Sequence, residues 1–327
     1  MSEYIIDVEG LKKDFKVHKR DKSGLMSSLK SLFSRDYKLV KAVDNLDLKI
    51  PQGEIRGLIG PNGAGKSTTI KILSGILYPT EGNVNVMGYT PWTQREDYVK
   101  KIGVVFGQKS QLVWDLPAID TFALNKQMYS IPHKTFENNI NYFKELLNIG
   151  DVITKPVRQL SLGERMKCEF VCALLHEPPL VYLDEPTIGL DIISKEAIRS
   201  FIKMVNKEKG TTFIVTTHDL SDIEDLCENV SIINNGTIVF NNSIEKLKTY
   251  FSDKKIIEIK FSRLIEQSLL EDFKVTSSGP YFANIEIETV NTNLQDEISK
   301  IFKQLPVQDI NINNINIEEV IKHIYLS

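Results

Sequence analysis

The stretch Ile55-Arg56-Gly57-Leu58-Ile59-Gly60-Pro61-Asn62-Gly63-Ala64-Gly65-Lys66-Ser67-Thr68 decides the fold. Its first five residues make a short, mostly apolar run, the pattern of a buried strand. Gly60 to Ser67 then fits G-x-x-x-x-G-K-[ST], and helical periodicity runs from Lys66 to about Leu77. Strand, glycine loop and helix in that order form the context in which this motif holds phosphate. The glycines let backbone N–H groups converge on one anion, and the helix N-terminus adds a favourable dipole. Asn62, Gly63, Gly65, Lys66, Ser67 and Thr68 are therefore the candidate nucleotide-binding residues. Lys66 serves the β- and γ-phosphates, Ser67 a Mg²⁺ ion, and Thr68 a further phosphate oxygen. The alternative, a bare Gly-rich turn, does not require the flanking strand and helix.

Downstream, Leu180-Val181-Tyr182-Leu183-Asp184-Glu185 ends a second apolar run on two carboxylates. Asp184 is placed to hold water around Mg²⁺. Successive strand residues point to opposite faces, but at a strand's end the next residue can turn back. Glu185 is thus the candidate for polarising the water that attacks the γ-phosphate. An isolated Asp-Glu pair is often only a solvated turn; beside a phosphate loop it reads as catalytic.

Around these motifs, strands and helices alternate. Strands are expected at Tyr4–Val8 with Leu11–Val17, at Val40–Ile50, Thr212–Thr216, Val230–Ile233 and Thr237–Phe240. Helices are expected at Phe136–Leu147, Leu162–Leu175, Ile193–Lys207 and Leu220–Cys227, with turns at Pro51-Gln52-Gly53 and Pro79-Thr80-Glu81-Gly82. Such alternation implies an α/β domain with a largely parallel sheet. The 327 residues leave room for a small second domain. Composition is ordinary, 42% hydrophobic and 25% charged, and the net charge of −3 gives no pull toward nucleic acid. No apolar run reaches the roughly 18 residues a membrane helix needs. Three cysteines, Cys168, Cys172 and Cys227, are too few for a disulfide framework and read as small buried thiols.

With these residues in place, the chain resembles the ATP-binding subunits of ABC transporters over about residues 4 to 245. Leu160-Ser161-Leu162-Gly163-Glu164 is similar to the family signature LSGGQ, with Leu162 in place of a glycine and Glu164 in place of a glutamine. The resemblance implies γ-phosphate contact through Ser161 and Gly163. It makes Gln108 the Q-loop glutamine, touching metal and attacking water. It makes Gly189-Leu190-Asp191 the D-loop and His218 the switch histidine beside the γ-phosphate. It also implies an aromatic stacked on adenine, for which Phe15 and Tyr37 compete, with Phe15 favoured. A phosphate-loop NTPase fold of the ABC type is implied over residues 1–250, with an insert at about 18–38 and a helical subdomain at about 109–176. ATP and Mg²⁺ are the implied cofactors. The implied partners are a second ATP-binding subunit, most simply a second copy, and integral-membrane permeases. The implied place is the cytoplasmic face of the membrane, held peripherally.

Trp114-Asp115-Leu116-Pro117, Arg158-Gln159-Leu160 and Asp184-Glu185-Pro186-Thr187 narrow the resemblance to the bacterial ABC-2 exporter branch. That branch handles drugs, peptides, lipids or polysaccharides. A soluble ATPase acting on ribosomes or DNA is the competing reading, but such chains carry two phosphate loops or long coiled coils. A non-hydrolysing regulatory module is disfavoured by the intact Lys66, Asp184, Glu185 and His218. Residues 251–327 read as β-α-β-β-α-β, a small ferredoxin-like α+β unit, with helices at Leu264–Leu270 and Leu294–Phe302 and a last helix at Ile317–Tyr325. It would serve as a dimerisation prop or bind a small regulator, the prop being favoured.

The insert carries Lys16, Lys19, Arg20, Lys22, Lys30, Arg35 and Lys38 against Asp21 and Asp36, with Leu25, Met26, Leu29, Leu32 and Phe33 at helical spacing. Either it is a solvated loop whose short helix packs on its own domain, or it meets anionic headgroups or a permease. Deleting residues 20–36 separates the two. Reduced co-sedimentation with membranes supports contact, and unchanged co-sedimentation leaves the solvated loop.

Overall fold

The runs that read as continuously apolar form strands buried on both faces. The computed structural model describes residues 3–18, 37–107, 109–217, 219–249, 254–288, 293–314, 320–321 and 324–325. β3 (Ile55–Ile59) and β7 (Thr212–Thr217) are buried throughout, and β6 (Leu180–Asp184) is buried up to its last residue. With β5 (Ile102–Phe106), β8 (Asn229–Asn234) and β9 (Thr237–Ser243) they form a six-stranded sheet in the order β5-β6-β7-β3-β8-β9. The pairs β5/β6, β6/β7, β7/β3 and β3/β8 are parallel. Their register sets Leu58 and Asp184 on either side of Thr216, so the carboxyl ends of β3, β6 and β7 finish level. In open parallel sheets that edge is where ligands bind.

A second, antiparallel sheet lies in the order β2-β1-β4, from β1 (Tyr4–His18), β2 (Tyr37–Pro51) and β4 (Glu81–Val86). β2 begins at Tyr37, earlier than the expected Val40, because its ladder with β1 continues to the His18–Tyr37 pair. Glu81 and Gly82, expected in a turn, open β4 instead, and Glu81 pairs with Lys12 of β1. Ile6, Val8, Leu11, Leu46, Leu48 and Ile50 from this sheet join Leu58, Ile70, Leu73 and Tyr182 in one buried core. Helix α1 (Lys66–Leu73) stops short of the expected Leu77. Gly75 takes a positive φ of 72°, and the amides of Ile76 and Leu77 both return to the Lys71 carbonyl, which closes the helix end. The one-turn helix α2 (Arg95–Tyr98) follows β4.

Between β5 and β6 lie α3 (Ala118–Met128), α4 (His133–Leu147) and α5 (Leu162–Leu174). α6 (Ile192–Lys209) and α7 (Leu220–Leu226) flank β7. Among the described residues no helix is long and apolar enough to cross a membrane.

The chain divides into two compact units, Met1–Asn241 and Asn242–Ser327. In the second, α8 (Ile244–Lys248) precedes a four-stranded sheet of β10 (Lys254–Phe261), β11 (Val275–Gly279), β12 (Phe282–Glu288) and β13 (Val307–Asn314). Its order is β11-β12-β10-β13, and every neighbouring pair is antiparallel. Ile257, Ile259, Phe261, Ala283, Ile285 and Ile287 cluster with Ile301 of α9 (Leu294–Gln304). The helix expected at Leu264–Leu270 is only a 3₁₀ turn at Gln267–Leu270. Here Ser262 and Ile265 give their amides to the carbonyls of Pro306 and Pro280, which draws the segment across neighbouring loops. Glu286, nearly buried, accepts from Lys254 at 2.9 Å and Lys274 at 2.8 Å. Burial pushes its carboxyl up, but the two ammonium groups outweigh burial and hold it below the usual range. The helix expected in the 18–38 insert lies outside the described residues. So does most of the last helix, of which residues 320, 321, 324 and 325 are helical.

Cys168, Cys172 and Cys227 are free and buried. Burial pushes the Cys168 thiol up to about 12 and raises the other two as well. Since the thiolate is the reactive form, an aromatic disulfide reagent at about pH 8 is expected to label none of them in the folded protein and all three after denaturation. Rapid labelling of the folded chain would contradict this burial.

Candidate functional site

The loop after β3 is shaped by backbone contacts before any ligand is considered. Gly65 has a φ of 113°, and a Cβ there would lie 2.4 Å from the Ala42 carbonyl oxygen of β2. Only glycine fits both the conformation and the space. The Ala64 carbonyl accepts from Gly236 N–H at 2.9 Å, and Gly236 in turn accepts from Asp44 N–H at 2.9 Å, which straps the loop between β2 and the β8–β9 turn. Lys66 is 5% exposed and folds back on its own loop, donating to Gly60 O at 2.6 Å and Pro61 O at 3.2 Å. Burial pushes its ammonium below the usual lysine value, while Glu185 and Asp184 pull it the other way. Asn62 and Gly63 are exposed at the loop's tip; Ser67 and Thr68 are half-buried at the start of α1.

At the level edge of the sheet, three side chains and one backbone amide meet. Ser67 Oγ donates to Asp184 Oδ1 at 3.0 Å, and Thr216 Oγ1 donates to the same oxygen at 2.6 Å. Glu185 N–H donates to Thr216 Oγ1 and to Thr216 O, each at 3.0 Å. Glu185 has a φ of 54°, in the left-handed region that is uncommon for a residue with a side chain. That turn lets two consecutive residues, Asp184 and Glu185, line one cavity despite strand alternation. The cavity holds about 620 Å³ and is lined by Asn62, Ser67, Lys71, Lys109, Asp184 and Glu185 among others. Ammonium and carboxylate groups thus face one space beside a half-buried hydroxyl, a donor set suited to a polyphosphate with a hard cation.

Two of the residues expected from the signature resemblance stand apart from this cavity. Ser161 and Gly163 do not line it; they start α5. Ser161 Oγ accepts from Glu164 N–H at 3.2 Å, and Glu164 Oε2 accepts from Ser161 N–H at 2.8 Å. Glu164, which the resemblance sets at the signature's glutamine position, therefore closes a capping box. The Ser161 N–H bond holds its carboxyl below the usual range. A Cβ at Gly163 would lie 2.4 Å from Ser194 Oγ, so the start of α5 packs closely on the start of α6. Asp191 caps α6, accepting from Ser194 N–H at 2.8 Å and Ser194 Oγ at 2.9 Å.

Phe15 and Tyr37 are both partly exposed on the β1–β2 ladder. Phe15 pairs with Val40 and Tyr37 with His18, an odd number of residues apart along the register. Their side chains therefore leave opposite faces, and one adenine ring cannot stack on both from the same side. Gln108 and His218 lie outside the described residues. Beside them, Gly107 N–H donates to Asp184 O at 2.8 Å, and Asp219 N–H donates to Thr217 Oγ1 at 2.9 Å. Lys195 of α6 pairs with Asp219.

Sequence reading passed over Thr216 and Lys109. A threonine ending an apolar strand that is followed by His218 was the available signal for the first. The second shows no pattern until β5 and β6 are laid side by side.

Parallel sheet, phosphate loop and a level carboxylate edge define the class of nucleotide-binding ATPase. The family model described as ABC transporter matches residues 43–188. The bacitracin transport ATP-binding protein BcrA of Bacillus licheniformis is 32% identical, over 73% of this chain and 78% of its own. The ABC transporter ATP-binding protein NatA of Bacillus subtilis is 29% identical, over 71% of this chain and 94% of its own. The dimeric post-hydrolysis structure of the ATP-binding cassette MJ0796, bound to ADP and Pi, shares the fold. Its TM-score is 0.60 at 24% identity, covering 73% of this chain and 98% of that one. The chain belongs to the ABC transporter ATP-binding family and is an ABC ATPase.

Thr216→Val keeps the shape of the side chain and removes the hydroxyl's hydrogen bonds to Asp184 and Glu185. A bond to a charged group contributes roughly 1.5–3 kcal/mol, so turnover is expected to fall about tenfold or more, with ADP affinity within about threefold of wild type. Steady-state hydrolysis and ADP titration check this, and unchanged turnover would leave Thr216 a packing residue.

Proposed function

We propose that this ABC ATPase binds ATP with Mg²⁺ and powers an ABC-2 type exporter, working as one of two ATP-binding subunits beneath integral-membrane permeases at the cytoplasmic face of the membrane. The observation that carries the reading is the cavity where Ser67 Oγ and Asp184 Oδ1 lie 3.0 Å apart with Glu185 beside them. A hydroxyl and a carboxylate on one cavity wall suit Mg²⁺, which takes few protein ligands and completes its shell with phosphate and water. Ser67 and Asp184 would hold it, and when bound it supplies charge neutralisation at the β- and γ-phosphates. Lys66, satisfied by loop carbonyls, exchanges them for phosphate oxygens. Glu185 accepts a proton from the attacking water, with its backbone held by Thr216. His218 and Gln108 complete the γ-phosphate surroundings.

Two exposed apolar groups support the partners. Ile192 and Ile193, directly after Asp191, are 79% and 81% exposed, which suits a face pressed against a second copy bringing Ser161 and Gly163 to this cavity. Val113, Trp114, Leu116, Leu124 and Met128 are also exposed, on the segment after Gln108 and on α3, which suits a permease. The export reading draws on BcrA, a bacitracin transport protein by name. Phe15 is the adenine platform. Residues 251–327, read as a small ferredoxin-like α+β unit, act as a dimerisation prop.

Glu185→Gln keeps the size and loses the base. It is expected to retain ATP binding, accumulate a dimer with ATP in size-exclusion light scattering, and lose roughly a hundredfold or more of turnover. Wild-type turnover in this variant would remove Glu185 from the role.

A further inference from the structure

Helix α5 carries one residue that its packing does not call for. Cys168, Phe170, Val171 and Cys172 around it are buried and apolar or weakly polar, yet position 169 is a glutamate, 3% exposed. A carboxylate out of water is costly unless its oxygens are fully bonded. Among the described residues Glu169 has no cation within ion-pair distance; burial pushes its carboxyl up, and hydrogen bonds and the more distant Arg165 charge only partly offset this. Its acceptors all go to one place, the segment directly after Gln108. Ser110 Oγ donates to Oε1 and Gln111 N–H donates to Oε2 at 3.2 Å. Ser110 Oγ also accepts from Leu112 N–H at 3.1 Å, and Gln111 Nε2 donates to Val104 O of β5 at 3.0 Å.

This segment has the cavity at its other end. Lys109 lines the cavity wall and gives its N–H to Phe106 O at 3.1 Å, and Gly107 is bonded to the Asp184 carbonyl. A Cβ at Gly107 would lie 2.2 Å from Glu185 O, so the loop has no slack where it passes the two carboxylates. Glu169 lies eight residues from Ser161, about 12 Å along the same helix. A leucine at 169 would keep the helix face apolar but would remove the acceptors of the Ser110 hydroxyl and the Gln111 amide on α5.

We propose that Glu169 is a positioning residue that fastens the loop Lys109–Leu112 to the signature helix, so that nucleotide in the cavity orients Ser161 through the loop and α5 moving as one body. This deepens the reading of the site as an ATPase and rests on it. The loop senses the nucleotide, and Glu169 passes the displacement to the helix that would serve the partner's ATP. It touches neither substrate nor metal.

The test is nucleotide-dependent amide exchange on the full chain, in the Glu185→Gln background with ATP and Mg²⁺. Without further change, both the 109–112 segment and the start of α5 at 161–165 are expected to gain protection when ATP binds. In Glu169→Leu the 109–112 response should persist, while the 161–165 response falls by about half or more. Ser110→Ala and Glu169→Gln should lie between, and they carry the decision if Glu169→Leu does not fold. Equal responses at both segments in every variant would overturn the linkage. ADP affinity should stay within about threefold of the parent, and a loss in step with the exchange effect would mean general loosening and also overturn it. Absence of any ATP response in the parent protein would instead count against the ATPase reading itself.

Discussion

Everything at the nucleotide edge depends on one carboxylate oxygen. Asp184 Oδ1 accepts from the first turn of α1 through Ser67 and from the end of β7 through Thr216. Thr216 also holds the backbone of Glu185. Three elements distant in sequence are thus joined at a single point, and the joint exists only because β3, β6 and β7 run parallel with their ends level. A one-residue slip of β6 against β7 would turn Asp184 to the opposite face and leave Ser67 without its acceptor.

The same joint explains why backbone strain collects nearby. Glu185 takes a left-handed conformation and Gly65 a φ of 113°. Both let chain segments approach the cavity more closely than regular strand and helix geometry allows. Such conformations persist because buried strands and the strap from Gly236 hold them from several sides, and they leave the side chains ready for a charged ligand. Lys66 is in a similar position: its ammonium is buried on loop carbonyls, where a phosphate would be a stronger partner.

The signature helix has a different logic. Its first turn is closed by its own capping box, and its middle is fastened by Glu169 to the loop after Gln108. Leu162, which replaces a glycine, reaches toward Gly189, where a Cβ would be 3.2 Å from its Cδ2. The start of α5 is therefore well supported within the chain, and Ser161 does not line the cavity.

The sequence by itself determined the phosphate loop, the Asp184-Glu185 pair and a largely parallel α/β sheet. These are local facts: glycine conformational freedom, apolar runs of strand length and the i, i+4 pattern of helices are written in neighbouring residues. Only the tertiary structure decided that Thr216 shares Asp184 with Ser67, that Phe15 and Tyr37 leave opposite faces of one ladder, and that Glu169 reaches Ser110 fifty-nine positions away. It also decided that residues 264–270 form a turn rather than a helix, since the competing bonds come from Pro280 and Pro306. Register, burial and long-range hydrogen bonding arise from which segments the fold brings together, and no window of sequence contains both partners.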